Sequence, residues 1–325
     1  RNRVTSWMNF SGRLIPGSVL SAVLGLLLLL LASFWGARRT FSDWIYRDPA
    51  AAEPTYFERL TTGFWYTILP TIVCWLFLFF TWGLFHSLGV LRGDIGDILQ
   101  TLLIAFAVIF LVWRLAEAVF APRMPNWRLL NVSDRAARPL KVFVIVMVMV
   151  AAWDYVTGQI NQIIGTSVPI TVARSLLASF IVGLMFLLIA FLRPFLSATG
   201  DAGERARRWP LPVKITLFLI GAVLVLTALA GYIGFARFMA QQIVVTGAAL
   251  ATIYLGYRTA HTISEERSLA GTRLGNRLAN EYQLSETTID QIGLVAGIAL
   301  MACVVIVGIP VLALLWGFRW PEVKS

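Results

Sequence analysis

Charge is what this sequence has least of. Only 14% of its 325 residues are Asp, Glu, Lys or Arg, against about 25% in a soluble globular domain. That is too little to coat an ordinary surface in water. Cysteine is scarcer still. Cys74 and Cys303 both lie inside apolar runs, without a CxxC or polar neighbours, and read as small filler within membrane helices. The two histidines, His86 and His261, fall near opposite faces of the expected topology. They cannot share a metal site, and they read as structural or interfacial. No Ser, Asp and His converge recognisably, and no glycine-rich phosphate loop follows a strand. No enzyme activity, no metal site and no cofactor are therefore expected.

Charge is also absent at depth. No Asp, Glu, Lys or Arg lies between Arg13 and Arg38, Arg59 and Arg92, Lys214 and Arg237, or Asp290 and Arg319. Ionisable residues within spans mark ion pathways and proton relays, because placing them there costs several kcal/mol. Their absence argues against an ion-coupled pump or transporter. It leaves open a channel lined by apolar side chains or carbonyls.

What the sequence does have is long apolar runs. It is 58% hydrophobic, with a mean hydropathy of +0.76. Eight runs stand between charges: Val19–Trp35, Phe64–Leu88, Ile98–Trp113, Val142–Trp153, Leu176–Leu192, Ile215–Ile233, Ile243–Tyr257 and Ile292–Phe318. Lipid offers no partner to a backbone N–H or C=O, so each run is expected to be a helix. The fold class is all-α: a polytopic membrane protein of about eight transmembrane helices arranged as hairpins. Val142–Trp153 is short and should borrow Leu140 and Tyr155. Thr55-Tyr56-Phe57-Glu58 reads as a capping box that starts the second helix, and Ser285 reads as the N-cap of the last.

Lys and Arg exceed Asp and Glu by 27 to 17. Because the excess clusters between spans, orientation and anionic headgroups explain it better than nucleic acid does. Nineteen basic residues fall on the side of the odd-numbered loops and eight on the other. The odd loops should then be cytoplasmic and both ends outside, the N-terminus periplasmic in a bacterial inner membrane. Arg38, Arg39, Arg114, Arg123, Arg128, Arg207 and Arg208 are the candidates for inner-face lipid headgroups. Residues 1–16 read as a polar outer segment, 17–320 as the membrane region and 321–325 as a connector. The start at Arg1 and the stop at Val323-Lys324-Ser325 suggest a piece of a longer protein.

Some residues admit two readings. Arg114 and Glu117 stand one turn apart and could pair, either as a sensor or, more simply, snorkelling to headgroups. Asp154, beside Trp153 and Tyr155, reads as an interfacial helix end rather than a cation site. Gly293 and Gly297 form GxxxG, and Gly247 with Ala251 offers a similar face. Both are helix-packing candidates. Arg193 follows Arg114 by 79 positions, as Tyr232 follows Trp153, which suggests a parallel hairpin repeat with Pro122 and Pro139 flanking one loop. Residues Arg258–Thr288 carry Leu269, Leu274, Leu278, Tyr282 and Leu284 at partly helical spacing, as an amphipathic helix or a solvated connector.

The carboxyl end adds a resemblance. Leu269-Ala270-Gly271-Thr272-Arg273-Leu274-Gly275, then Leu284 to Asp290, lead to Leu315-Trp316-Gly317-Phe318-Arg319-Trp320. This resembles the stretch before the pore module in large, many-helix members of the MscS-like mechanosensitive channel family. The resemblance implies a peripheral array of lipid-facing helices that senses tension, in a homo-oligomer (a heptamer in that family). Its partners would be membrane lipids and not nucleic acid. The family's Gly/Ala-rich pore helix and cytoplasmic β-domain are not found in these residues. Such an array needs no charged sensor, since tension favours whichever state occupies more membrane area. An ion-independent small-molecule permease and a non-catalytic scaffold are the alternatives.

Overall fold

The structure is a computed structural model, and it describes residues 24–26, 28–33, 35–36, 54–87, 94–130, 132–165, 168–194, 209–265 and 285–317. Seven long helices follow one another: α1 (Tyr56–Ser87), α2 (Asp94–Phe120), α3 (Asp134–Ile164), α4 (Val168–Phe191), α5 (Leu211–Leu229), α6 (Ile233–Glu265) and α7 (Glu286–Leu315). All seven are long and apolar enough to cross a membrane. The described residues of the first apolar run are helical over a shorter stretch, Leu24–Ser33. The chain is an all-α, multi-pass membrane protein.

The helices outrun the apolar stretches that announce them. α3 has 31 residues where its run has little more than three turns; beyond the run, Lys141 pairs with Glu117 of α2 and Asp154 with arginines of α4 and α6, while Asp134, Arg135 and Arg138 are exposed. Pro139 therefore lies inside α3 and does not flank a loop. α1 starts where its capping box requires: Thr55 N–H donates to Glu58 Oε2 at 3.2 Å, and Glu58 N–H to Thr55 Oγ1 at 3.3 Å. Ser285 caps α7 by accepting from Thr288 N–H at 3.3 Å. Three residues join α3 to α4 and another three join α5 to α6. Both turns use a glycine in the left-handed region, Gly165 at φ 72° and Gly231 at φ 86°, where a side chain would strain the backbone. Along the proposed repeat the outer aromatics do not correspond. Trp153 is half-exposed midway along α3, whereas Tyr232 lies in the turn before α6.

Two apolar cores form. Val132, Ala136, Leu140, Met147, Val182, Ile189, Leu224 and Ala240 join α3, α4, α5 and α6, and Leu60, Phe64, Leu115 and Leu255 join α1, α2 and α6. α6 enters both cores and touches each of the other six helices. It is the spine of the bundle. α4 and α5 meet at a second close approach, where a Cβ on Gly221 would stand 2.9 Å from the Gly183 carbonyl oxygen. Elsewhere the helices turn large apolar side chains outward, among them Phe79, Leu188, Leu226, Tyr254, Val295 and Ile306, as lipid as solvent allows.

Candidate functional site: a buried charge cluster

The close-approach face of α7 is the one its glycines suggest. A Cβ on Gly297 would overlap Ser264 Oγ and stand 2.9 Å from the Ala260 carbonyl oxygen; on Gly308 it would lie 2.9 Å from Ile253 Cγ1. Gly293 is buried as well. Gly297 thus packs on α6 of the same chain. On α6, however, the contact is made at Gly256, whose Cβ would be 2.8 Å from Val304 Cγ2. Gly247 and Ala251 are exposed, and nothing lies within 4 Å of where a Gly247 Cβ would stand. The small-residue spacing recurs along α6; the Gly256 face meets α7, and the Gly247 face is open.

The headgroup candidates divide. Arg123 is exposed. Arg38, Arg39, Arg207 and Arg208 lie outside the described residues, as does most of the segment read as amphipathic; its two ends belong to α6 and α7. Arg128 is buried instead. Its Nε donates to the Phe120 carbonyl at 2.9 Å, its Nη1 to the Val132 carbonyl, and its Nη2 reaches Asp134 Oδ1 at 2.8 Å. It closes the C-terminal end of α2 onto the start of α3, satisfying at Phe120 a carbonyl that a helix end leaves free.

Arg114 is also withdrawn from headgroups. Its Nε and Nη2 donate to the Tyr66 carbonyl at 3.1 and 2.7 Å, and its guanidinium lies 3.7 Å from the centre of the Tyr66 ring. The reason is in α1. Pro70 has no N–H to give the carbonyl four residues back, which is that of Tyr66. Glu117 then pairs with Lys141 of α3, not with Arg114.

The largest departure is Asp154. It is 2% exposed, not an interfacial helix end, and it gathers residues from three helices. Oδ1 faces Arg174 Nε of α4 at 3.2 Å and accepts from Ser175 Oγ at 3.2 Å. Oδ2 faces Arg237 Nε of α6 at 2.7 Å and accepts from Gln241 Nε2 at 3.2 Å. Each oxygen thus accepts one hydrogen bond and faces one guanidinium in an ion pair. Two positive charges so close disfavour a metal cation there. Gly158, one turn further along α3, makes the convergence possible: a Cβ there would overlap Arg237 Nη2 and stand 3.5 Å from Arg174 Nη2.

Ionisable side chains therefore do lie within the bundle, towards the face that carries the two tight turns. At 1.5 Å per residue, Arg237 is about 6 Å and Arg174 about 9 Å from the start of its helix. Read alone, Asp154 looked like a helix end. Leu176–Leu192 is at the short limit for a span, and α4 does begin further back, at Val168, ahead of Arg174. The histidines stay apart, His86 stacked on Trp82 in α1 and His261 beside Tyr257 in α6.

Compared with protein-family models, with curated proteins and with solved structures, the chain matches none.

Proposed function

We propose that the chain is the peripheral, tension-sensing membrane region of a mechanosensitive channel of the MscS-like type, lying ahead of the pore. The observation that carries this reading is the attachment of α7. It is held along one narrow seam on α6, and most of its remaining surface is exposed apolar side chain. In the resemblance, the pore module follows directly after this helix. A helix held on one side and wetted by lipid on the other is suited to pass in-plane displacement onward. Tension biases whichever arrangement of such helices occupies more area. Moving that equilibrium from 1:99 to 99:1 needs about 5.5 kcal/mol of differential stabilisation, within reach of many weak helix–lipid contacts.

Reconstituted alone, the chain should give no channel events in patches under suction. In protein that carries the downstream pore, Gly308→Leu on the seam should move the tension threshold and leave single-channel conductance unchanged. Currents from the chain alone, or an altered conductance, would refute the assignment. A second reading, the permease, is favoured by the buried charges on α3, α4 and α6, since intramembrane ionisable residues often line a solute path. Saturable solute flux without channel events would put it first.

A further inference from the structure

The charge cluster has a surplus that its own residues do not resolve. Two guanidinium groups share one carboxylate, which leaves one net positive charge in the outer part of a membrane bundle. Asp154 accepts one hydrogen bond on each oxygen, from Ser175 and Gln241, and is ion-paired to both arginines. The Arg174 side chain is 8% exposed, and its Nε, Nη1 and Nη2 are all buried without a hydrogen bond, Nε having only the ion-pair contact with Asp154. Nature rarely leaves such donors empty, because an unmet charged donor in low dielectric costs far more than an unmet neutral one. Arg237 is different. Its side chain is 30% exposed, so it stands between Arg174 and the surroundings. Ser175 and Gln241 hold the carboxylate from the other side, which fixes the Nε edges of both arginines and leaves their Nη edges facing the same side of α3, over Gly158.

The geometry points to an oxyanion site of phosphate type, held by the Nη groups of Arg174 and Arg237 over Gly158, with Asp154 as the anchor that orients both. Guanidinium forks match a tetrahedral oxyanion with paired N–H donors. One such anion would neutralise the surplus charge and meet the empty donors of Arg174. To admit it, the Nη groups of Arg237 turn outward while its Nε stays on Asp154, and the partial exposure of Arg237 allows that. The same phosphate chemistry is carried by free inorganic phosphate and by the phosphodiester of an anionic lipid. The site is independent of the tension-sensing reading.

The test uses the protein in nanodiscs of zwitterionic phosphatidylcholine, with thermal unfolding followed by tryptophan fluorescence. Inorganic phosphate is titrated against chloride at matched ionic strength. In a second arm, discs containing phosphatidylglycerol are examined by native mass spectrometry for retained lipid. A saturable shift with phosphate but not chloride identifies a free anion; retained phosphatidylglycerol without a phosphate effect identifies a lipid headgroup. In whichever arm responds, Arg237→Gln should weaken binding by roughly tenfold or more, the loss of a charge-assisted hydrogen bond. Arg237→Lys, which keeps the charge but not the fork, should weaken it less. Gly247→Leu, on an open face away from the cluster, should leave binding unchanged. A response in neither arm, a phosphate effect equalled by chloride, or binding untouched in a folded Arg237→Gln protein overturns the proposal. Water would then be what meets Arg174.

Discussion

At the scale of single residues, glycine has two distinct meanings here. Gly297 sits where the α6 backbone comes so near that a Cβ would press on the Ala260 carbonyl oxygen, whereas Gly247 faces open space. Lipid accepts a leucine at Gly247 without complaint. At Gly297 the two helices must separate, an overpacking cost of about 1–3 kcal/mol or more. Gly297→Leu should therefore lower the unfolding temperature in detergent while Gly247→Leu leaves it unchanged. Because the seam lies within one chain, oligomer size should not follow the stability loss. Equal stability of the two variants would remove the packing role. The sequence offered both glycines on the same small-xxx-small spacing. Which has a neighbour is decided by another helix, and no spacing along one helix can report that.

At the scale of elements, what could be read was what lipid enforces. Among the described residues, seven apolar runs lie in membrane-length helices, since an uncharged run in hydrocarbon has no other way to satisfy its backbone. The caps at Thr55 and Ser285 were legible because their partners are three residues away. The cluster at Asp154 was not, because its members come from α4 and α6, with Gln241 87 positions further along. The Arg114 clamp on α1 was hidden for a related reason: a proline in one helix created the need that an arginine in the next one meets. This coupling has a measurable form. Arg114→Leu should cost about 1.5–3 kcal/mol, the range for a charged hydrogen bond. In a Pro70→Ala background the alanine N–H serves the Tyr66 carbonyl, so the same substitution should cost less. Equal costs in both backgrounds, measured by reversible unfolding, would show that the two residues act independently.

At the scale of the whole molecule, the bundle is two cores strung on α6, with its loops alternating between two faces. The basic excess proposes which face is cytoplasmic. Arg128 cannot report on it, since its side chain is buried. Arg123→Cys and Tyr232→Cys, each in a background lacking Cys74 and Cys303, place single thiols on opposite faces at exposed positions. An impermeant reagent applied to intact cells should label position 232 and spare position 123. The reverse pattern would invert the molecule.

The shared carboxylate also bears on how the molecule is made. Ser175 follows Asp154 by 21 positions, with Arg174 just before it, so the first arginine arrives on the very next helix. α3 and α4 can leave the insertion machinery together as a hairpin whose Asp154 and Arg174 neutralise each other near the turn, sparing each part of the cost of a lone charge in the membrane. Arg237 comes later. At about 5–20 residues per second, α6 reaches the membrane several seconds after the hairpin and finds its counter-charge already installed and already spoken for. By chain order the second arginine is a latecomer to a pair that can already have formed.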